Sequence, residues 1–355
     1  MTRDEGRRTI ALFLPNWVGD VVMATPAIRA VRSYFPSARL LAVCKPYVAD
    51  TIAGSPWFDS VVPLMKPGLG TTARLWRERP DMAVLFPNSL RAALIARIGG
   101  CRTVVGFARY GRDALLSRRL YPRRDDRGRV RPTPAIDDYN RVVRLLGVPD
   151  PGHRMELFTT PADEAAADAV WARHRLQQCR EVVGLNPGGA FGSAKHWPTA
   201  YFAELARDLA DRCGAGVLVL CGPAERETAA RIAAEANRPG VVALADTQLS
   251  LGLTKAAVRR LALLVTTDSG PRHFAAAFGV PVVTLFGPTH IGWTETYFPK
   301  AVHLQKPVPC GPCQQRVCPL GHHRCMTELM PTEVYAATDH LLRAATSARE
   351  VRHAS

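Results

Sequence analysis

The chain has 355 residues, a formal net charge of +15, 47% hydrophobic and 22% charged residues. This balance excludes a disordered chain, and the length suits two domains at roughly 100–200 residues each. No apolar run reaches the ~18 residues of a membrane span, and the charged start, residues 1–8, precedes a run too short for a signal-peptide core.

A cytoplasmic protein with an affinity for polyanions is therefore expected. The basic residues are dense at 112–131 and in the C-terminal tail. RNA-binding signatures, a basic zipper and zinc-finger spacing are missing, which disfavours a nucleic-acid reader. An ordinary solvated basic surface accounts for part of the charge, and an anionic membrane face for the rest.

Short β-branched runs alternate with longer amphipathic ones from the start. Residues 10–14 read as a strand and 21–34 as a helix, with Val22, Ala27, Ile28 and Val31 near one face. Strands follow at 40–44, 60–63, 82–86 and 103–105, interleaved with helices at 47–53, 71–78 and 90–98. Order lapses over 110–134, which reads as a surface excursion; 136–146 is a helix, 150–161 a linker and 162–175 a helix belonging to either side. A second series has strands at 182–185, 217–220, 241–243, 261–266 and 282–286, and helices at 200–212, 226–236, 271–278 and 331–345. Such alternation predicts βαβ units and parallel sheets covered on both faces. The expected class is α/β, with two Rossmann-like doubly wound domains facing a cleft. The domains read as 1–160, 161–330 and a C-terminal helix with basic tail at 331–355. Ligands in such sheets sit beyond the carboxyl ends of the strands.

Four segments sit at those ends. In the first, Gly19 and Asp20 join the first strand to the first helix. Asp20 suits an ordinary helix N-cap, and equally a general base aimed at an acceptor. In the second, Gly188 and Gly189 allow close backbone approach to a ligand, and Lys195 offers a charge for phosphate or is a plain surface lysine. His196 and Trp197 read as packing residues. In the third, Asp268, Ser269, Gly270 and His273 open a helix whose N-terminus suits a diphosphate. In the fourth, Glu225 is either a ribose acceptor or a first-turn glutamate favoured by the helix dipole. The dinucleotide glycine fingerprint is missing, which disfavours a dehydrogenase.

Of nine cysteines, Cys44, Cys101, Cys179, Cys213 and Cys221 lie among apolar neighbours and are expected as buried free thiols. Cys310, Cys313, Cys318 and Cys325 cluster as C-x2-C-x4-C-x6-C with His322 and His323. That is zinc-ligand chemistry without the usual pair of C-x2-C knuckles. The alternatives are a structural zinc and a turn-rich loop of buried thiols.

Residues 15–26 (PNWVGDVVMATP), 186–198 (NPGGAFGSAKHWP), 268–289 (DSGPRHFAAAFGVPVVTLFGPT) and 310–326 (CGPCQQRVCPLGHHRCM) resemble the ADP-heptose:lipopolysaccharide heptosyltransferases of glycosyltransferase family 9, with type II the nearest likeness. The resemblance implies a GT-B fold, with the acceptor in the first domain and the ADP-sugar donor in the second. It implies Asp20 as general base and Lys195, Asp268, Ser269, Gly270 and His273 at the donor, with Glu225 matched less securely. Lys195, His273 and the helix start near Gly270 would stabilise the departing ADP. The implied reaction is inverting transfer of L-glycero-D-manno-heptose from ADP-heptose to the heptosyl-Kdo-lipid A inner core of lipopolysaccharide. Type I or III chemistry, or another nucleotide sugar or acceptor, is the alternative. The partners would be the donor, that glycolipid and an anionic inner-membrane surface, with no nucleic acid; the protein would be peripheral on the inner face. No Asp-x-Asp motif lies in the donor half, so no cofactor is required. Two departures stand out: Gly189 where alanine is expected, and Arg272 where methionine is common.

Overall fold

The computed structural model describes the backbone of residues 8–354 and the side chains of residues 8–345. The expectation for the charged start falls mostly on residues 1–7, and that for the basic tail on side chains past 345; both lie outside the described residues. The chain divides into two compact units: residues up to Phe158 together with Gly292–Tyr297, and Thr159–Ile291 together with the chain from Phe298 onward.

The first unit contains β1 (Thr9–Phe13), α1 (Val18–Met23), α2 (Thr25–Tyr34), β2 (Arg39–Cys44), α3 (Pro46–Ile52) and β3 (Ser60–Pro63). It continues with α4 (Leu69–Glu78), β4 (Met82–Leu85), α5 (Leu90–Ile98), β5 (Thr103–Phe107), β6 (Arg118–Leu120) and α6 (Ala135–Arg144). All six strands are parallel, in the order β3-β2-β1-β4-β5-β6. Side chains alternate across the sheet. Ile10, Leu12 and Leu14 pack with Val21 and Ile28 on one face; Ala11 and Phe13 pack with Leu75, Ala93 and Ile95 on the other. Helices α1, α2, α3 and α6 cover the first face, and α4 and α5 the second.

The second unit contains α7 (Pro161–His174), β7 (Val182–Asn186), α8 (Thr199–Cys213), β8 (Gly216–Val219), α9 (Arg226–Ala236), β9 (Val241–Ala243) and α10 (Leu251–Arg259). It ends with β10 (Leu263–Thr267), α11 (Gly270–Phe278), β11 (Val282–Phe286), β12 (Ala301–Gln305), α12 (Arg324–Thr327) and α13 (Pro331–Ala354). Its sheet runs β12-β11-β10-β7-β8-β9, again all parallel. Both units thus repeat one strand order, 3-2-1-4-5-6 counted within each. In such a sheet the order reverses between the first and fourth strands, where the loops part and leave a crevice. That point lies between β1 and β4 in one unit and between β7 and β10 in the other. Among the described residues, no helix is long and apolar enough to cross a membrane.

The differences from expectation have local causes. The helix expected over 21–34 is broken at Ala24 into α1 and α2. Pro26 has no N–H to offer the Val22 carbonyl, and the Thr25 hydroxyl takes that carbonyl instead at 2.7 Å. The stretch 110–134 holds an edge strand, β6, and is not all surface. Arg112 within it is fully buried, and its guanidinium donates to the carbonyls of Phe107, Pro87 and Ser89 and to Asn88 Oδ1. Burial, then nearby Arg109, lowers its pKa to about 10. Helix α10 escapes a reading by polarity because its buried Lys255 is paired with Asp163 of α7 at 3.5 Å. Of the scattered cysteines, Cys44, Cys101 and Cys221 are buried as expected, whereas Cys179 and Cys213 are only half-buried.

Candidate functional site

In the first unit, the chain leaves β1 and enters α1 with Trp17 as N-cap, so Asp20 is the third helical residue. The cap reading of Asp20 is therefore set aside. Its Oδ1 accepts a hydrogen bond from the Tyr139 hydroxyl of α6 at 3.1 Å. Tyr139 is held edge-on against Phe86, with ring centroids 5.3 Å apart. Burial, then the Asp20 charge, keeps its phenol well above the usual pKa. It therefore stays a donor to the carboxylate. Trp17 is 49% exposed beside Asp20, and the Tyr47 hydroxyl donates to the Asn16 carbonyl of the same loop.

In the second unit, the loops after β7, β8 and β10 meet at the reversal point. Lys195 is buried, not a surface lysine; its ammonium donates to Asp268 Oδ2 at 2.6 Å and to the Asp268 carbonyl at 2.9 Å. It also lies over the Phe191 ring, 4.6 Å from the centroid. Asp268 follows β10 directly. Its carboxylate also receives Arg272 at 3.2 Å and the Thr289 hydroxyl at 2.8 Å. Burial would raise the Asp268 pKa, but the charges of Lys195 and Arg272, with the Lys195 and Thr289 hydrogen bonds, outweigh it and hold the carboxyl well below the usual range. Asp268 is thus a fixed anion that orients two cations.

Ser269 is the N-cap of α11 but makes no cap bond. Its hydroxyl instead joins Asn186 Nδ2 at 2.9 Å and Thr266 Oγ1 at 3.0 Å. Gly270 is the first residue of α11, with Pro271 behind it, and the N–H groups of this first turn have no partner within the helix. His273, expected to reach an anion, is 3% exposed, and its Nδ1 has no hydrogen-bond partner among the described residues. Burial, then neighbouring Arg272, lowers its pKa to about 3. It is a neutral imidazole near pH 7, a hydrogen-bonding group and not a charge.

Glu225 is neither a plain first-turn residue nor pointed at solvent. Its Oε1 accepts from the Gly189 N–H at 3.0 Å and its Oε2 from the Gly222 N–H at 2.8 Å. It braces the loop after β7 against the loop after β8. A Cβ on Gly188 would fall 2.0 Å from Glu225 Oε1, so a larger residue there would push the carboxylate off the two N–H groups it braces. On Gly189 a Cβ would meet only ordinary contacts at 3.5 Å and beyond, so the expected alanine would also fit. Trp197 is a packing residue as expected, with its N–H on the Leu329 carbonyl at 2.8 Å; His196 is exposed and is not.

The cysteine segment leans on this site. The Arg316 carbonyl accepts from the Ala194 N–H at 3.0 Å, and the Gln314 N–H donates to the Pro288 carbonyl at 2.8 Å. Both partners adjoin Asp268 contacts, Lys195 and Thr289. Burial, then the thiols of Cys313, Cys310 and Cys318, raises the Cys325 pKa. Among the described residues no three His, Cys, Asp or Glu side chains are gathered so as to hold a metal, so the zinc alternative, with Cys310, Cys313, Cys318 and Cys325 as a tetrahedral set, is not seen in this arrangement. Cys310 is exposed and the others half-buried, which also departs from a loop of buried thiols.

Residues 71–324 match the profile of glycosyltransferase family 9 (heptosyltransferase), which is well over half of the chain. The chain belongs to this family. Among its relatives, lipooligosaccharide heptosyltransferase 2 of Campylobacter jejuni is 26% identical, over 94% of this chain and 98% of that protein. Lipopolysaccharide heptosyltransferase 1 of Pseudomonas aeruginosa is 27% identical, over 94% and 98%. The solved structure of Escherichia coli ADP-heptose lps heptosyltransferase II has the same fold, with TM-score 0.76 at 23% identity, over 95% of this chain and 99% of that one. Family membership makes the protein a glycosyltransferase. Tyr139, Asn186 and Thr289 contact the candidate residues Asp20, Ser269 and Asp268 and were not singled out in the sequence, although the last two lie inside the segments that carried the family likeness.

Proposed function

We propose that the protein is an inverting GT-B heptosyltransferase. It would move L-glycero-D-manno-heptose from ADP-heptose to the heptosyl-Kdo-lipid A inner core of lipopolysaccharide. The observation that carries this reading is the buried Lys195–Asp268 pair at the strand-order reversal, beside the glycine loop and the start of α11. A helix start, backbone N–H groups and an ammonium held by a fixed carboxylate are what a diphosphate requires. The second unit is then the donor half, and the first, with Asp20, the acceptor half.

The chemistry follows from the groups. Asp20, oriented by Tyr139, takes the proton from an acceptor hydroxyl. The freed oxygen attacks the anomeric carbon, and the bond to ADP breaks. Charge growing on the leaving diphosphate meets Lys195 and the N–H groups near Gly270, with neutral His273 as a further hydrogen-bonding group. Two of the three ammonium N–H groups of Lys195 bind Asp268, so this cation is preorganised before the donor arrives. Ser269 and Glu225 hold the donor loops; contact with the ribose would use the remaining acceptor capacity of Glu225.

A type I acceptor is the second reading, favoured by the near-equal identity to type 1 and type 2 relatives. A lipid-linked acceptor and a net charge of +15 support a peripheral place on the anionic inner face of the inner membrane. The deciding assay is ADP release from ADP-heptose with acceptors carrying zero, one or two heptoses. Release that needs the one-heptose acceptor, and is lost in Asp20→Ala while donor binding persists, is the expected result. Release with the zero-heptose acceptor instead would assign type I, and none with any acceptor would overturn the reading.

A further inference from the structure

Helices α4 and α5 carry an apolar surface that the transfer chemistry does not use. On α5, Leu90, Leu94 and Ile98 recur every four residues and are exposed, while Ala92, Ala93, Ile95 and Ala96 face the sheet. On α4, Leu69 and Trp76 share the outer face seven residues apart, and Thr71 and Leu75 face inward. Leu69 is 77% exposed, Trp76 63% and Ile98 64%. The two helices adjoin closely: a Cβ on Gly99 would lie 2.8 Å from Leu75 Cβ, and one on Gly68 would lie 3.1 Å from Ile95 Cδ1. The exposed residues thus form one surface, extended by Met65. Ordinary soluble proteins scatter such residues singly; a joined patch marks an interface.

Charge says which interface. Residues 65–102 contain seven basic and two acidic side chains. Both acids are engaged inside the unit: Glu78 pairs with Arg39 at 2.5 Å, and Asp81 accepts the Thr9 N–H at 2.9 Å. Lys66, Arg74, Arg77, Arg79 and Arg102 are exposed around the apolar residues. Arg79 and Arg102 line a shallow depression with Trp76, Pro80 and Gly100. A tryptophan with flanking arginines beside leucines and isoleucine is the composition of a surface that sits at a membrane interface, ring at headgroup depth and cations on phosphate.

We propose that the α4–α5 face docks this protein on an anionic lipid bilayer. In a βαβ unit the helices run back along the sheet, so Leu69 and Leu90 stand at the edge where β1 delivers Asp20. The apolar stripe leads from there to Trp76 and Ile98. An acceptor anchored in the docked bilayer would present its sugar at the Asp20 edge. This last point rests on the lipid-linked acceptor proposed above; the docking does not.

The test is sedimentation of the full chain with phosphatidylcholine vesicles, with and without phosphatidylglycerol. Wild type is expected to partition onto the anionic vesicles and to leave them as salt rises. Two variants separate the forces: Trp76→Ser/Leu94→Ser/Ile98→Ser, and Arg77→Gln/Arg79→Gln/Arg102→Gln. In each, partitioning falls at least about tenfold. The arginine variant touches no packed side chain, so loss of fold in the apolar variant leaves the test intact. Wild type ignoring both vesicle types, or arginine-variant binding equal to wild type, overturns the docking. So does a wild-type dimer in light scattering that the apolar substitutions dissolve, since the face would then belong to a second copy. Turnover on a delipidated acceptor persisting in both variants, with vesicle binding lost, supports docking and transfer as separate properties.

Discussion

Tyr139 meets Asp20 from 119 residues further along the chain, and Lys195 meets Asp268 across 73. Local pattern carries no information about such pairings. It placed Asp20, Lys195, Asp268 and Ser269 at strand ends but gave none of their partners. The same limit explains His273: the sequence shows a titratable ring in a first turn, while burial beside Arg272 decides that it is neutral. Two outcomes follow at this scale. Tyr139→Phe removes a hydrogen bond to a charged group, worth about 1.5 kcal/mol or more, so kcat is expected to fall roughly tenfold with the donor KM little changed. Steady-state ADP release measures it, and an unchanged kcat would show that the contact orients nothing. His273 is depressed to about 3 in the folded chain, against an unfolded value of about 6.5. Folding therefore favours its neutral form; that stability is complete above pH 6.5 and is lost as pH falls toward 3. Asp268 is also depressed, and its loss begins only below about pH 4, the ordinary aspartate value. Between pH 6.5 and 4 the melting temperature should thus fall with pH more steeply in wild type than in His273→Asn.

The elements were more legible than the contacts. Apolar periodicity gave nearly every strand and helix within a few residues, because buried parallel strands and two-faced helices write their environment into composition. It failed where that link breaks. β6 (RRL) and β12 (AVHLQ) are edge strands without a fully buried face, and the buried Lys255 of α10 reads as polar. The break between α1 and α2 was written in Pro26 but outweighed by the apolar stripe. The loop elements rest on close backbone approach. A Cβ on Gly192 would lie 2.3 Å from the Arg316 carbonyl oxygen, and backbone cannot swing aside as a side chain can. Gly192→Ala should therefore separate the cysteine segment from the Lys195 loop. The expected cost is about 1–3 kcal/mol of stability, with weaker ADP binding, by denaturant melts and calorimetry. Wild-type ADP affinity in this variant would show that the contact does not shape a nucleotide-binding conformation of the Lys195 loop.

At the scale of the whole molecule, one strand order occurs twice, and each reversal point holds one set of candidate groups. The doubly wound class was readable from alternation alone; that both sheets follow the same order was not, since order is a property of pairing. If the second sheet is the donor half, ADP stabilises the folded chain by mass action, by about 2.7 kcal/mol at a hundredfold excess over Kd. A rise in Tm of several degrees is expected for wild type and not for Lys195→Ala; equal rises would move the nucleotide elsewhere. The chain's basic character also has a practical side. It has only six lysines, and two of them, Lys195 and Lys255, are buried in carboxylate pairs. Side-chain amine-directed dyes or cross-linkers will therefore find Lys45, Lys66, Lys300 and Lys306, which are half-buried or exposed, and will spare Lys195 and Lys255. With Lys66 on the rim of the apolar face, a polarity-sensitive fluorophore attached there becomes an optical gauge of that face while the enzyme keeps working.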